Sequence, residues 1–132
     1  MIVLDSGAVI ALAKLEKGAL FVRQQLRSNP GACFIHAVNV LEVFYGFERA
    51  NGTAYAERIL ALMDKAQIQT RGDFDRDFLR DASGLKTTYR MSLADTFAVA
   101  LARRLGVPLL SSDHHELDPV NAAGVCPILF IR

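Results

Sequence analysis

Apolar residues along this chain fall into short unbroken runs and longer spaced stripes, and the two arrangements alternate. Ile2-Val3-Leu4 is a run closed by Asp5-Ser6-Gly7, which predicts a buried strand leading into a capped helix. Helix is expected over Ala8–Lys14 and over Ala19–Arg27, where Leu20, Phe21, Val22 and Leu26 sit among Arg and Gln until Ser28-Asn29-Pro30-Gly31 stops them. Cys33-Phe34-Ile35 predicts a second strand. Ala37–Ala50 has a helix's length but is apolar on nearly all sides (Val38, Val40, Leu41, Val43, Phe44, Tyr45, Phe47), which predicts a helix buried between other elements. Asn51-Gly52 ends it. Tyr55–Ala66 carries Ile59, Leu60, Leu62 and Met63 between charges, a surface helix leading to a strand near Ile68.

Asp73–Tyr89 is more polar, and Ser83-Gly84 is expected to interrupt it. Ser92–Leu105 reads as helix, with Ser92 and Asp95 spaced as a capping box, Arg103 and Arg104 at its negative end, and Gly106-Val107-Pro108 as its stop. Leu109–Asp113 predicts a strand that ends in an acid. Val125–Ile131 predicts a last strand, placed at a sheet edge by Pro127. Strands alternating with helices indicate an α/β fold with a largely parallel sheet covered on both faces. Sites in such folds lie beyond the carboxyl ends of the strands, where Asp5 and Asp113 fall.

Composition narrows this only a little. The 132 residues suit one domain, 1–132, and no linker, repeat or low-complexity tract divides them. The net charge of +1 lends no global support to nucleic-acid binding, so any such function must be argued from a site. Cys33 and Cys126 lie in apolar strand segments and read as reduced core thiols of a cytoplasmic protein. No secretory leader or membrane span is recognisable.

Four acids carry the candidate chemistry. Asp5 and Asp113 each follow a strand, where an Asp also serves as a plain cap or turn residue. Asp95, three residues after Ser92, is equally what a capped helix start requires. Glu42 is the sharpest clue, because it shares a helix face with Val38, Leu41 and Tyr45, and a buried carboxylate needs a cation or a route to solvent. Two carboxylates roughly 5 Å apart repel by about 3 kcal/mol at an effective dielectric near 20. Four brought together would need protons or a metal. An all-oxygen set suits a hard divalent ion such as Mg²⁺ or Mn²⁺, which acidifies a water able to attack a phosphodiester.

The opening Ile2-Val3-Leu4-Asp5-Ser6, the segment Asn39-Val40-Leu41-Glu42-Val43 with Tyr45-Gly46, the run Met91-Ser92-Leu93-Ala94-Asp95, and Leu110-Ser111-Ser112-Asp113-His114-His115-Glu116-Leu117 together resemble the PIN domain of VapC-type toxins. The resemblance spans the whole chain in order. It implies a three-layer α/β/α fold, RNA as substrate, Mg²⁺- or Mn²⁺-dependent endonucleolytic cleavage, a homodimer, and a cognate antitoxin whose arginine could replace the metal's charge. It also implies that Asp5, Asp95 and Asp113 hold the metal or its waters and that Glu42 helps bind or acts as base. Ser111 would orient a water or phosphate, Ser6 is the only hydroxyl in a turn where Gly7 departs from the family's usual Ser or Asn, and Asn39 could either orient Glu42 or serve packing.

Other readings remain. A catalytically silent PIN-like module that binds RNA or a protein would keep its acids for folding, and a phosphatase is weaker because Asp5 lacks a second Asp two residues on. A zinc site at His114, His115 and Glu116 is disfavoured, since adjacent histidines point apart. His36 is expected to be structural or at the surface. Lys14, Lys17, Arg49, Lys86, Arg90 and Arg103 are candidates to flank a cleft.

Overall fold

The computed structural model describes residues 1–132 as five strands and seven helices. In chain order they are β1 (Ile2–Leu4), α1 (Ser6–Lys14), α2 (Ala19–Ser28), β2 (Cys33–His36), α3 (Ala37–Asn51), α4 (Thr53–Lys65), β3 (Ile68–Arg71), α5 (Arg76–Thr88), α6 (Leu93–Leu105), β4 (Leu109–Ser111), α7 (His114–Ala122) and β5 (Ile128–Phe130). All strand pairs are parallel, in the order β3-β2-β1-β4-β5. The chain builds outward from β1 through β2 to β3, then returns to lay β4 on the other side of β1. The strand order therefore reverses between β1 and β4, which opens a crevice at their carboxyl ends.

Alternation along the strands divides the interior into two cores, one on each face. Ile2, Leu4, Cys33, Ile35 and Leu110 pack with Val9, Val22, Val43, Phe47 and Ile59 from α1 to α4. Val3 and Leu109 face the other way and pack with Phe78, Leu85, Leu101, Leu117 and Val120 from α5 to α7. This is the expected α/β/α sandwich, and both free cysteines are buried in it.

Several expectations are corrected. α3 is not buried on all sides: Asn39, Val43 and Phe47 form its one buried stripe, while Leu41 is 61% and Tyr45 44% exposed. It packs on α4, α6 and α1, and nothing covers its outer face. Ser83-Gly84 does not interrupt α5, because the buried stripe Phe78, Ala82 and Leu85 carries the helix across it, outweighing glycine's cost of about 1 kcal/mol. α1 begins at Ser6 rather than Ala8. β4 stops at Ser111 rather than Asp113, because the Ser111 hydroxyl accepts the Asp113 N–H at 3.0 Å and turns the chain. β5 is shorter than Val125–Ile131, starting just after Pro127, and does lie at the edge. α7 was not anticipated, because only Leu117 and Val120 are buried along it and Pro119 lies inside it.

Candidate metal centre

Three helices begin at the crevice between β1 and β4, and each brings an acid there. Asp5 is the N-cap of α1, its Oδ1 accepting the Ala8 N–H at 2.8 Å. Asp113 is the N-cap of α7, accepting the Glu116 N–H at 3.0 Å. Asp95 lies in the first turn of α6, which is capped by the Ser92 hydroxyl accepting the Asp95 N–H at 3.1 Å. Positive helix ends offset part of the carboxylates' mutual repulsion. The capping roles and the cluster are thus the same residues seen locally and globally.

With Glu42 from α3 and Glu116 from α7, these acids line one open cleft of about 470 Å³, and no lysine or arginine lines it with them. Carboxylate oxygens of Asp95, Asp113 and Glu116 lie within 4.8 Å of one another. Glu116 lay inside the run that carries the family resemblance and in the disfavoured zinc reading, but was given no role in the acid cluster. The available signal was its place three residues after the capping Asp113, where a Glu commonly turns back to a helix start. Here it reaches a different helix, its Oε2 accepting the Ser92 N–H at 3.0 Å. The capping box expected of Ser92 and Asp95 is therefore completed from α7, not by Asp95.

The charges are strained as they stand. Asp5 is 2% exposed, and its carboxyl is pushed up to about 6, chiefly by burial and in smaller part by the nearby Asp113 and Glu42, against hydrogen bonds from the Ser111 hydroxyl and the Ala8 N–H. Asp95 is raised well above the ordinary carboxylate range, chiefly by burial, then by its hydrogen bond with Glu116 and by the surrounding acids. The Glu116 carboxyl is held low by the same bond and by the Ser92 N–H. Oxygens of Asp95, Asp113 and Glu116 thus converge with no positive side chain between them, which is where a cation would fit. An all-carboxylate donor set with no counter-charge fits a hard divalent ion.

The remaining expected residues take supporting positions. Glu42 is half-buried and opens into the cleft, so it is not the enclosed carboxylate its helix pattern suggested. Asn39 does not orient Glu42: its Oδ1 accepts the Ser6 hydroxyl at 3.0 Å, while its buried Nδ2 has no partner. Ser6 is the first residue of α1 and not its cap. Ser111 is fully buried and bonds to both Asp5 and Asp113, so it positions two acids and does not face water or phosphate. Gly7 lines the cleft, and a Cβ there would lie 2.9 Å from the Ser112 hydroxyl, which would have to turn aside. His36 is buried, its Nδ1 accepting the Val38 N–H and its Nε2 bonding the Asp73 carbonyl, a structural role as expected. His114 stacks on Phe130 and bonds Asp118 and the Arg132 carbonyl, away from any zinc-like set.

Comparison with known proteins places the chain in a family and finds its fold among solved structures. The family model described as PIN domain matches residues 2–120. A VapC ribonuclease of Mycobacterium bovis and ribonuclease VapC42 of Mycobacterium tuberculosis are each 28% identical over 116 residues, covering 82% of this chain and 87% of their own. Among solved structures, VapBC2 of Rickettsia felis, bound to a promoter DNA fragment, superposes with a TM-score of 0.77 at 14% identity, covering 98% of both chains. A toxin-antitoxin complex from Klebsiella pneumoniae gives 0.73 at 16% identity, covering 100% of this chain and 98% of its own. The sarcin-ricin loop cleaving toxin VapC20 of Mycobacterium tuberculosis also gives 0.73 at 16%, covering 94% of this chain and 95% of its own.

Proposed function

This chain belongs to the PIN domain family, and on that premise we propose that it is a Mg²⁺- or Mn²⁺-dependent endoribonuclease, the toxin of a toxin-antitoxin pair. The observation that carries the reading is the cleft itself: five carboxylates at the strand-order reversal with no lysine or arginine among them. The relatives named ribonuclease support RNA as substrate. The toxin-antitoxin complexes among the structural neighbours support a protein partner that silences the cleft.

In this mechanism Asp5, Asp95, Asp113 and Glu116 would hold the ion. When bound, the ion acidifies a water and offsets phosphate charge. Glu42, half-exposed in the same cleft, would accept the proton from the attacking water. Ser111 fixes Asp5 relative to Asp113, and Ser92 and Glu116 lock α6 to α7, so the acids are already positioned and would hold an ion with little ordering cost. Asn39 and Ser6 brace α3 against α1, which sets the distance of Glu42 from Asp5. By the resemblance to VapC-type toxins the chain works as a homodimer. No helix is long and apolar enough to cross a membrane.

The test is cleavage of total RNA by partner-free protein. Cleavage with Mg²⁺ or Mn²⁺, lost in EDTA and in Asp5→Asn, is expected; full activity in EDTA or in the variant overturns the mechanism. Folded, metal-binding protein that cuts no RNA would favour the silent-module reading instead.

A further inference from the structure

The acid cleft has two unlike shoulders. On one side, past Ile10, lies a hollow lined by Lys14, Gly46, Phe47 and Ala50, where Lys14 pairs with Glu16 at 3.9 Å. On the other, past Ser92 and Glu116, the cleft runs into an open hollow of about 490 Å³ bordered by Lys86, Arg90 and His115. Ser92 and Glu116 belong to both spaces, so the acids and this basic shoulder form one continuous surface.

None of the three basic side chains is in an ion pair, whereas Arg71, Arg80, Arg103, Arg104 and Arg132 all are. The one acid within the hollow, Glu116, is turned to the Ser92 N–H. Lys86 Nζ donates to the Met91 carbonyl, which fixes its ammonium in place with further N–H groups to offer. Arg90 stands exposed in the short link between α5 and α6 with its guanidinium unclaimed. A strand of RNA approaching five carboxylates is repelled unless cations hold it next to them, and unpaired Lys and Arg beside the cleft supply that attraction.

We propose that the hollow bordered by Lys86, Arg90 and His115 is a subsite for the phosphate that neighbours the one being cut, so that bound single-stranded RNA leaves the cleft over this shoulder. The inference rests on the endoribonuclease reading for the identity of the strand. Arg90 and Lys86 position the strand and touch no reacting atom, so their loss appears in binding and KM rather than in kcat.

Two measurements on the full chain test it, both on Arg90→Ala, Arg90→Lys and, as a control on α2, Arg27→Ala. Binding of a fluorescent single-stranded RNA is followed by anisotropy in EDTA, where the strand stays intact, across a salt series. Arg90→Ala is expected to weaken binding roughly three- to tenfold and to reduce the slope of log affinity against log salt by about 0.7, the contribution of one single-strand phosphate contact. Arg90→Lys should restore most of both, and Arg27→Ala should change neither. With Mn²⁺, cleavage by Arg90→Ala should show a raised KM and an unchanged Mn²⁺ affinity. Wild-type affinity and salt slope in Arg90→Ala would overturn the subsite. Absence of cleavage by the wild type, with binding still dependent on Arg90, would overturn the endoribonuclease reading and leave the subsite standing.

Discussion

Asp5 and Asp75 each cap a helix, the first accepting the Ala8 N–H at 2.8 Å and the second the Phe78 N–H at 2.9 Å, yet their surroundings are charged in opposite ways. Around Asp75, Arg104 pairs with it and with Asp73, Arg71 clasps Asp73 through bonds of 2.9 and 3.0 Å, and Arg103 meets Asp81 at 3.1 Å. The guanidiniums hold Asp75 and Asp73 below the usual carboxylate range. Around Asp5 there is no cation, and burial drives its carboxyl up to about 6. Acid density alone therefore does not mark a site. What marks it is a set of acids gathered in one cleft with no arginine or lysine among them.

The widest separation between the two regions should appear in catalysis. Asp5→Asn is expected to cut RNA cleavage by more than the ~10–100-fold typical of residues that only support a metal's ligands, and Asp75→Asn to leave the rate within about twofold. Equal losses in a fluorogenic RNA assay would erase the distinction.

Stability without metal should separate them in the opposite direction. Because the folded pKa of Asp5, about 6, lies above its ordinary 3.8, the folded state keeps a proton that the unfolded chain has already lost across that interval. The Asp5 contribution to stability therefore falls as pH rises through about 4 to 6 and is flat above, while the raised Asp95 carries the overall fall to higher pH. Asn cannot ionise and keeps the Oδ1 cap, so in EDTA at pH 7 Asp5→Asn should be more stable by on the order of 3 kcal/mol, a gain that vanishes below about pH 4. Urea titrations at several pH values measure this, and a destabilised Asp5→Asn at pH 7 would contradict the assigned strain.

Metal should narrow that gap. Mn²⁺ at a hundred times its Kd is expected to stabilise the wild type by about 2.7 kcal/mol and Asp5→Asn far less, read as a shift in melting temperature. The smallest effect belongs to the other region: Asp75→Ala should lower the melting temperature slightly through loss of a cap, equally in EDTA and Mn²⁺. A metal-dependent response there would blur the comparison.

Much of the architecture was legible in the chain. The runs Ile2–Leu4 and Cys33–Ile35 and the stop signals at Pro30-Gly31 and Gly106 placed strands and helix ends nearly where they lie. The expected acids Asp5, Glu42, Asp95 and Asp113 do reach one cleft. Less visible were α7, which buries too few apolar residues to show a period, and the continuity of α5, where tertiary packing overrides a weak Ser-Gly pair. Glu116 stayed hidden because its useful contacts, with Asp95 and with the N–H of Ser92, lie 21 and 24 residues away.

Hydrophobic period, turn residues and capping preferences act within a few residues, so the order and kind of most elements follow from the chain directly. Whether a carboxylate finds an arginine is decided by strand order, which brings together side chains far apart along the chain. Asp75 met Arg104 across 29 residues, while the return of β4 to the side of β1 set Asp5 among acids alone. Local signals made both aspartates caps, and only the folding of the sheet placed one of them in a cleft of acids without a counter-charge.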